Sequence, residues 1–276
     1  MISGNKNFNL GKPFSFGRRS EIYTLDKSRV LKLYDRSFPE RRVADEFNKT
    51  VVVYESGKVD LPQQLKMVQQ EGRFGIVFGR IHGTAFMDLF QRKPWFFLFY
   101  IHRIAALHKQ VNAVMVQGLQ TQQEEFSSLL ESSDKLSLVD KQKLLEVLNE
   151  PYEPRLCHGD FHHGNLIQSS YGKTYIIDWM DAFSGDYRLD VALSAVNGVV
   201  SDAPPHVPVF YRYAYELLKG WLKLDKRYLA AYGINEQAMA KHLFLAAGIH
   251  LARCNRSDDS LHRSYFEHSK LGILAL

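Results

Sequence analysis

Residues 156–167, which read LCHGDFHHGNLI, concentrate side chains that can do chemistry. Three histidines, an aspartate and an asparagine stand within eight positions of one another: His158, Asp160, His162, His163 and Asn165. Such a set could bind a transition metal. Each histidine could instead be a buried residue with a backbone partner. A third hypothesis is that the aspartate and the asparagine serve phosphoryl transfer as a base and a metal ligand.

The metal hypothesis has little support elsewhere in the chain. His162 and His163 are adjacent, so an extended backbone would direct them to opposite sides. The sequence contains neither an H-E-x-x-H motif nor a pair of closely spaced cysteines. A metal-dependent hydrolase is therefore a weaker alternative. Buried histidines alone would leave the neighbouring aspartate and asparagine unexplained.

Phosphoryl transfer accounts for more of the pattern. Transfer to a hydroxyl needs a carboxylate that orients it and accepts its proton, together with oxygen ligands for Mg²⁺. Asp160 and Asn165 have the D-x-x-x-x-N spacing of a kinase catalytic loop. A second acidic ligand should follow a hairpin, and YIIDWMD places Asp178 directly after an apolar strand. The ordered combination is a stronger signal than the loop alone.

The elements that must position these residues begin with a hairpin. SEIYTL (20–25) and RVLKLY (29–34) both alternate in polarity across the turn DKS, which predicts two paired strands. Within the second strand, Val30 and Lys32 should share one face. LKMVQQ (65–70) and RFGIVFGRI (73–81) predict two more strands around the turn EGR.

One helix is predicted within this strand-rich region. Pro39 suits its first turn and Gly57 its end. Apolar residues recur at steps of four, four and three and predict its buried stripe, which would consist of Val43, Phe47, Val51 and Tyr54.

Helical periodicity dominates the rest of the chain, over 94–112, 122–133, 138–149 and most of 190–276. The segment NLIQSSYGKTYIIDW reads as a strand, a turn and a strand. We therefore expect an α+β protein with two lobes. Residues 1–82 would form a small antiparallel-sheet lobe with one helix, and residues 83–276 a larger, mainly helical lobe.

Composition narrows the partners. The 276 residues are 45% hydrophobic and 24% charged, with a net charge of +5 and a pI near 9.0, which favours anionic ligands such as nucleotides. The basic residues are dispersed rather than gathered in a stripe, so we expect no nucleic-acid partner. No membrane span or signal-peptide core is visible, and there are only two cysteines. We therefore expect a cytoplasmic protein, as a monomer or homodimer.

LCHGDFHHGNLI followed by IIDWMDAFSGDYRLDVA resembles the aminoglycoside-phosphotransferase and choline-kinase-like group of small-molecule kinases. These enzymes share the protein-kinase fold but have H-G-D where protein kinases have H-R-D. The resemblance is sharpest over 156–192, good over 73–90 and fair over 15–57. It implies a two-lobed protein-kinase-like fold whose first lobe binds the nucleotide.

The resemblance also implies roles for individual residues. Asp160 would be the catalytic base, Asn165 a Mg²⁺ ligand and Asp178 the second, bridging ligand. His158 would brace the loop. Asp190, in RLDVA, would be a scaffold residue that hydrogen-bonds the loop without touching substrate.

In the first lobe the resemblance assigns Lys32 to the α- and β-phosphates. Glu46 would be its ion-pair partner, because a fixed carboxylate holds the lysine extended toward the phosphates. Asp45 and Glu40 are rivals for this role. Glu46 lies beside the Val43–Phe47 stripe, however, and should face inward.

Two further parts of a nucleotide site are implied less sharply. Gly79 to Ile81 resemble the hinge whose backbone contacts adenine. The glycine-rich loop departs from G-x-G-x-x-G, because LGKPFSFGRRSEIYTL offers only Gly11 and Gly17. Backbone amides and positive charge from Gly17 to Ser20 could still meet phosphates.

Together these assignments predict an ATP-dependent phosphotransferase that uses Mg²⁺, with GTP as a possible substitute for ATP. The acceptor would be a hydroxylated small molecule such as an aminoglycoside, an amino sugar or an amino alcohol. The short interval between Asp178 and Asp190 leaves little room for an activation segment, which argues against a protein acceptor. The C-terminal part offers candidate acceptor-binding side chains of two kinds: the acids Asp202, SDD (257–259) and Glu267, and the aromatics Tyr211, Tyr213, Trp221 and Phe266. Helical spacing assigns most of these aromatics to the core.

A non-catalytic nucleotide- or partner-binding module on the same fold is the alternative. The complete set of Lys32, Asp160, Asn165 and Asp178 argues against it, because degenerate kinases usually lose at least one member.

Overall fold

The computed structural model describes residues 8–92, 97–201, 223–255 and 259–274. Its contacts divide the chain into two compact units. The first unit comprises Met1–Arg92 and His163–Ala182, and the second comprises Lys93–His162 and Phe183–Leu276. Each of these units consists of two chain segments, whereas the predicted lobes, 1–82 and 83–276, are continuous. The lobe boundary stays a prediction.

The described strands are β1 (Ser15–Phe16), β2 (Ser20–Thr24), β3 (Arg29–Tyr34), β4 (Gln64–Gln70), β5 (Arg73–Gly79), β6 (Gly83–Ala85), β7 (Arg155–Cys157), β8 (Leu166–Ser169), β9 (Thr174–Ile176) and β10 (Phe183–Gly185). The described helices are α1 (Glu40–Glu55), α2 (Phe86–Arg92), α3 (Phe97–Asn112), α4 (Gln122–Ser132), α5 (Leu138–Leu148), α6 (Tyr187–Val200), α7 (Leu224–Tyr232), α8 (Ala240–Arg253) and α9 (Ser260–Leu274).

The first unit contains an antiparallel sheet in the order β1-β2-β3-β5-β4. Both predicted hairpins are confirmed, with Ile22 opposite Lys32 in the first. The second hairpin turns at Glu71 and Gly72, which both have positive φ angles, of 51° and 73°. Two such residues match the right-handed twist of the strands that they connect.

The two faces of β3 pack differently, as the alternation predicts. Leu31 and Leu33 belong to a core cluster on one face. Val30 packs into a second cluster, which includes Val43 of α1. Lys32 therefore lies on the face that carries the helix, and its position follows from the two-residue period of a strand.

The buried face of α1 differs from the predicted stripe. Val43, Glu46, Thr50 and Val53 are buried, whereas Tyr54 is 38% exposed. The face is rotated toward Glu46 because its carboxylate contacts Lys32 and Tyr34 of β3. The apolar period alone could not reveal these polar contacts. Pro39 stands just before the first helical residue, rather than within the first turn.

The first unit also holds a smaller sheet in the order β6-β8-β9. The predicted strand, turn and strand after the histidine-rich loop are confirmed as β8 and β9. Gly83 of β6 is required here, because a Cβ at this position would lie 2.3 Å from the carbonyl oxygen of Gln168. Because β8 and β9 are antiparallel and Leu166 pairs with Ile176, this sheet places Asn165 and Asp178 at the same end, one residue before β8 and two residues after β9.

The second unit is mainly helical. Helices α3 to α9 bury a large apolar cluster that includes Phe126, Leu144, Val191 and Phe244, and β7 pairs with β10. Helices α3, α4 and α5 confirm the predicted segments to within a few residues. Helix α6 begins at Tyr187, capped by the side chain of Asp186. None of the described helices combines the length and apolarity needed to cross a bilayer.

Candidate active site

Lys32 is held by two carboxylates inside the first unit. Its Nζ lies 2.8 Å from Glu46 Oε1 and 2.8 Å from Asp178 Oδ1. The Lys32 side chain is 12% exposed and that of Glu46 is 1% exposed. The hydroxyl of Tyr34 donates to the other oxygen of Glu46. We call Lys32, Glu46 and Asp178 the lysine triad; the ion pair predicted between Lys32 and Glu46 is present.

The charges of the lysine triad explain its titration. Burial favours the neutral amine, but the carboxylates of Asp178 and Glu46 outweigh it and raise the pKa of Lys32. Burial, reinforced by the charge of Asp178, raises the pKa of Glu46 to about 7 against the opposing effect of Lys32. With one cation and two carboxylates the triad carries an excess negative charge, and the more buried carboxyl group is the one that favours a proton.

The backbone at Asp178 has the left-handed conformation, with φ of 66°. This conformation is uncommon for residues other than glycine, although aspartate tolerates it better than most. The neighbouring residues fix it: Ile177 N–H donates to the carbonyl of Asn165 at 3.0 Å, and the buried Trp179 donates through Nε1 to the carbonyl of Ile176 at 3.1 Å. The resulting turn directs the Asp178 carboxylate toward Lys32.

Asn165 and Asp178 have the chemistry expected of Mg²⁺ ligands. Asn165 ends the short 3-10 turn His163–Asn165 and is buried. Mg²⁺ is commonly held by one or two protein oxygen ligands together with phosphates and water, and an amide and a carboxylate oxygen supply such ligands. Over the described part of the chain, no three His, Cys, Asp or Glu side chains form a cluster suited to a metal. The residues present therefore fit Mg²⁺ held jointly with a nucleotide better than a transition metal.

The other residues predicted to bind the nucleotide lie at opposite ends of β3. Ser20 pairs with Tyr34 at one end of β3, and Gly79 pairs with Arg29 at the other. The N–H groups of Gly79 and Arg80 already donate to the carbonyls of Gln63 and Ser28. Of the three hinge residues, Ile81 is therefore the one whose backbone N–H we predict to contact adenine. The roles assigned to Ser20, Gly79 and Ile81 stay predictions.

Asp160 belongs to the second unit, in the loop 158–162 that follows β7; we call this segment the Asp160 loop. Asn197 of α6 donates from Nδ2 to Asp160 Oδ1 at 2.9 Å. His162 Nε2 lies 3.4 Å from Asp160 Oδ2. Burial opposes ionisation, but His162 and, more weakly, His158 and His250 outweigh it and hold the pKa of Asp160 well below its usual range. The carboxylate is therefore ionised at neutral pH and can accept a hydrogen bond from a hydroxyl.

Asp190 fastens the Asp160 loop. Its buried carboxylate accepts hydrogen bonds from the backbone N–H groups of His158 and Gly159, both at 2.8 Å. Asn112 Nδ2 and His108 Nε2 add bonds of 2.9 and 2.8 Å. Burial works against the charge, but these donors, with His108 foremost, lower the pKa of Asp190. The contacts are those expected of a scaffold residue.

His108 and Asn112 extend this support to α7. The Nδ1 atom of His108 lies 2.6 Å from the Tyr228 hydroxyl. A neutral imidazole protonated at Nε2 satisfies both of its contacts, because it donates to Asp190 and accepts from Tyr228. Asn112 Oδ1 accepts from Tyr232 at 3.1 Å.

Sequence reasoning missed His108, Asn112 and Asn197. Their only signal is that each is a polar residue within a largely apolar helical segment, and this pattern does not identify a partner dozens of residues away. Among the acceptor-binding candidates, Phe266 is buried and stacks on Phe244, so it belongs to the core. Glu267 is exposed, and Asp259 pairs with Lys135 at 3.1 Å. Asp202, Tyr211, Tyr213, Trp221, Ser257 and Asp258 lie outside the described residues.

Solved structures with the same fold include choline kinase LicA from Streptococcus pneumoniae, at a TM-score of 0.58 and 12% identity over 97% of this chain and 94% of that one. A thermostable mutant of aminoglycoside phosphotransferase APH(4)-Ia, in a ternary complex with ADP and hygromycin B, matches at a TM-score of 0.57 and 16% identity over 96% and 90%. The GDP and kanamycin complex of APH(2")-IIIa matches at 0.54 and 16%, over 96% and 93%. These likenesses confirm the α+β, protein-kinase-like fold class.

No curated protein matches the sequence. The model of one family, described as the phosphotransferase enzyme family, matches residues 11–241. The matched span contains the lysine triad, the Asp160 loop and Asn165, and it covers well over half of the chain. The predicted resemblance and the enzyme class are thereby confirmed: this chain belongs to the phosphotransferase enzyme family.

Proposed function

We propose that this protein transfers the γ-phosphate of ATP to a hydroxyl group of a small molecule, with Asp160 as the base. The observation that carries the proposal is the lysine triad. A lysine fixed by a buried carboxylate, beside an aspartate that follows a strand, is the arrangement that places a cation against nucleotide phosphates. A surface lysine with no such role would not need two carboxylates and a strained backbone to hold it.

The first unit would bind the nucleotide. Lys32 would contact its phosphates, and Glu46 would hold the amine in place. Asn165 and Asp178 would hold Mg²⁺, which, when bound, would offset the negative charge on the β- and γ-phosphates. With Asp178 as a ligand of Mg²⁺, the bond to Glu46 would keep the Lys32 amine directed toward the phosphates.

In the second unit, Asp160 would orient the acceptor. The acceptor hydroxyl would donate a hydrogen bond to the Asp160 carboxylate, and its oxygen would attack the γ-phosphorus. As the new O–P bond forms, the bond to the β-phosphate oxygen breaks and ADP leaves. The hydroxyl proton passes to Asp160. The low pKa of this carboxylate suits a late proton transfer, so its contribution is mainly positioning.

Solved structures with the same fold support a proposal for the acceptor class. Among these solved structures are a kanamycin complex, a hygromycin B complex and a choline kinase. All three molecules carry both amino or ammonium groups and hydroxyl groups. We infer an acceptor of this kind, an aminoglycoside, an amino sugar or an amino alcohol. Bound GDP, ADP and AMP in such structures support a purine nucleotide donor.

An acceptor screen tests the proposal. The purified protein would be incubated with Mg·ATP in a small-molecule cell extract supplemented with kanamycin, hygromycin B, choline and glucosamine. Mass spectrometry would then seek compounds that gain one phosphate. We expect a product that needs both Mg²⁺ and ATP and that does not form with Asp160→Asn. Binding of Mg·ATP without a product in any extract or supplement would favour the non-catalytic module instead.

A further inference from the structure

Asn197 contacts the carboxylate that the proposed reaction uses as its base. Its Nδ2 lies 2.9 Å from Asp160 Oδ1, although 37 residues separate the two in sequence. Asn197 is partly buried near the C-terminal end of α6, a helix that is otherwise largely apolar. A polar side chain there loses hydration, so its hydrogen bonds have to make up for that loss.

The Asn197 amide has a second hydrogen-bond partner on its other side. The hydroxyl of Ser201, one helical turn later, donates to Asn197 Oδ1. An ionised carboxylate can only accept hydrogen bonds, so the amide must present Nδ2 to Asp160 and Oδ1 to Ser201. The carboxylate selects this orientation, because a flipped amide would set Oδ1 against an ionised oxygen, whereas the Ser201 hydroxyl could donate or accept.

We propose that Asn197 is a positioning residue for the base: it pins Asp160 Oδ1, so that Oδ2 is the oxygen that receives the acceptor's proton. This inference rests on the proposed function and extends it to a residue of another element. A carboxylate held at Oδ1 loses rotation about its last side-chain bond, and His162 Nε2 lies 3.4 Å from the other oxygen. The second oxygen is then held in one direction, as a precisely placed base requires.

Several charged or titratable groups face Asp160 and bear on any test by pH. His158 and His162 come from its own loop, and His250 comes from α8. All three histidines are left intact in every variant below. A change in the behaviour of Asp160 is then attributable to position 197.

Two near-isosteric variants remove the amide in different ways. Asn197→Leu deletes the donor, and Asn197→Asp replaces it with a second carboxylate at hydrogen-bond distance. Two adjacent carboxylates cannot both ionise easily, so the second change should disturb Asp160 more. Gly198→Ala is the matched control, because the nearest side-chain neighbour of the added methyl group is Leu224 Cβ at 3.9 Å.

The first readout needs no substrate. In protein labelled with [4-¹³C]aspartate, the Asp160 carboxyl resonance is identified by its disappearance in Asp160→Asn and followed by NMR against pH. The wild type and Gly198→Ala should retain the ionised shift to the lowest pH at which they stay folded. The titration midpoint should rise in Asn197→Leu and rise further in Asn197→Asp. A residue with a merely structural role would not produce this order.

The second readout is the pH profile of kcat, with Mg·ATP and the acceptor found by the screen, or with water as the acceptor if none is found. Asn197→Leu should lower kcat by about 10- to 100-fold, shift the acid limb to higher pH and leave the affinity for Mg·ADP unchanged. Wild-type resonances and profiles in both Asn197 variants would overturn the inference. If the wild type shows no turnover but the NMR order holds, the proposed function fails while the positioning of Asp160 stands.

Discussion

Lys32 Nζ and Asp178 Oδ1 lie 2.8 Å apart, although 146 residues separate them in the chain. The contact joins the middle of β3 to a residue that follows β9, and it lies wholly within the first unit. Asp178 reaches it from a left-handed backbone conformation. Backbone strain of this kind costs stability and is commonly found where function requires a fixed geometry.

Replacing Lys32 with methionine should destabilise the protein in a pH-dependent way. Losing one partner of a buried ion pair typically costs about 3–5 kcal/mol. The pKa of Glu46 is raised to about 7 from an ordinary value of 4.5. The stability contributed by the protonated Glu46 carboxyl group is therefore fully present below pH 4.5 and is lost as the pH rises through 7. Without Lys32, the ionised Glu46 would be buried without its cation. The deficit in the free energy of unfolding should be larger at pH 8.5 than at pH 5.5.

Urea unfolding of the wild type and Lys32→Met at both pH values measures this difference. Lys27→Met, at an exposed turn position, is the control and should match the wild type at each pH. A deficit of the same size at both pH values would show that Glu46 does not take up the proton.

Substitutions at Asp178 should separate strain from metal binding. Asp178→Gly and Asp178→Ala both remove the carboxylate, so both should abolish the dependence of ADP affinity on Mg²⁺ in isothermal titration. Of the two variants, only alanine has a Cβ atom, which is unfavourable at the φ of 66° found at this position. The glycine variant should therefore be the more stable by about 1 kcal/mol. An alanine variant at least as stable as the glycine variant would argue against the strain.

Asp190→Asn should destabilise the second unit with little change in volume. The carboxylate accepts hydrogen bonds from four donors. An asparagine amide has only one oxygen, and its NH₂ group would face some of these donors. We expect the free energy of unfolding to fall by about 3 kcal/mol in urea titrations. Glu153→Gln, whose side chain is 67% exposed, should stay within about 0.5 kcal/mol. Equal stability of Asp190→Asn and wild type would mean that the four bonds do not fasten the loop.

His250 should make the protein acid-sensitive. Burial lowers the pKa of His250 to about 4 from 6.5, despite its contact with the Leu193 carbonyl. A depressed pKa means that this contribution to stability is present above pH 6.5 and is lost as the pH falls toward 4. His250→Gln, which can keep the bond to the carbonyl, should lose about 2 kcal/mol less than the wild type between pH 7 and 5. Parallel losses in urea unfolding would contradict this account.

The sequence predicted most of the elements because their signals are local. Alternation identified the strands, and turn residues placed the hairpins, so Lys32 could be assigned to its face from residues 29–34 alone. Asp160, Asn165 and Asp178 were predictable for the same reason, because only one loop and one hairpin separate them along the chain. Glu46 was found because a helical period relates it to Val43 and Phe47.

Contacts set by tertiary packing were not predictable in the same way. The rotated face of α1 depends on polar contacts of Glu46 that apolar periodicity does not register. Asn197 and His108 reach the Asp160 loop from helices whose packing no sequence spacing encodes. Their polarity within apolar helices could have marked them as residues with buried partners, but not named those partners.

Turnover by Asp160→Asn tests the central claim most directly. The rate of phosphate transfer from Mg·[γ-³²P]ATP to the acceptor would be measured for wild type and variant, with both proteins saturated with nucleotide. The account predicts a fall in kcat of about 10²- to 10⁴-fold with unchanged affinity for Mg·ATP. Transfer by Asp160→Asn at close to the wild-type rate would contradict it, since Asp160 would then not be the base.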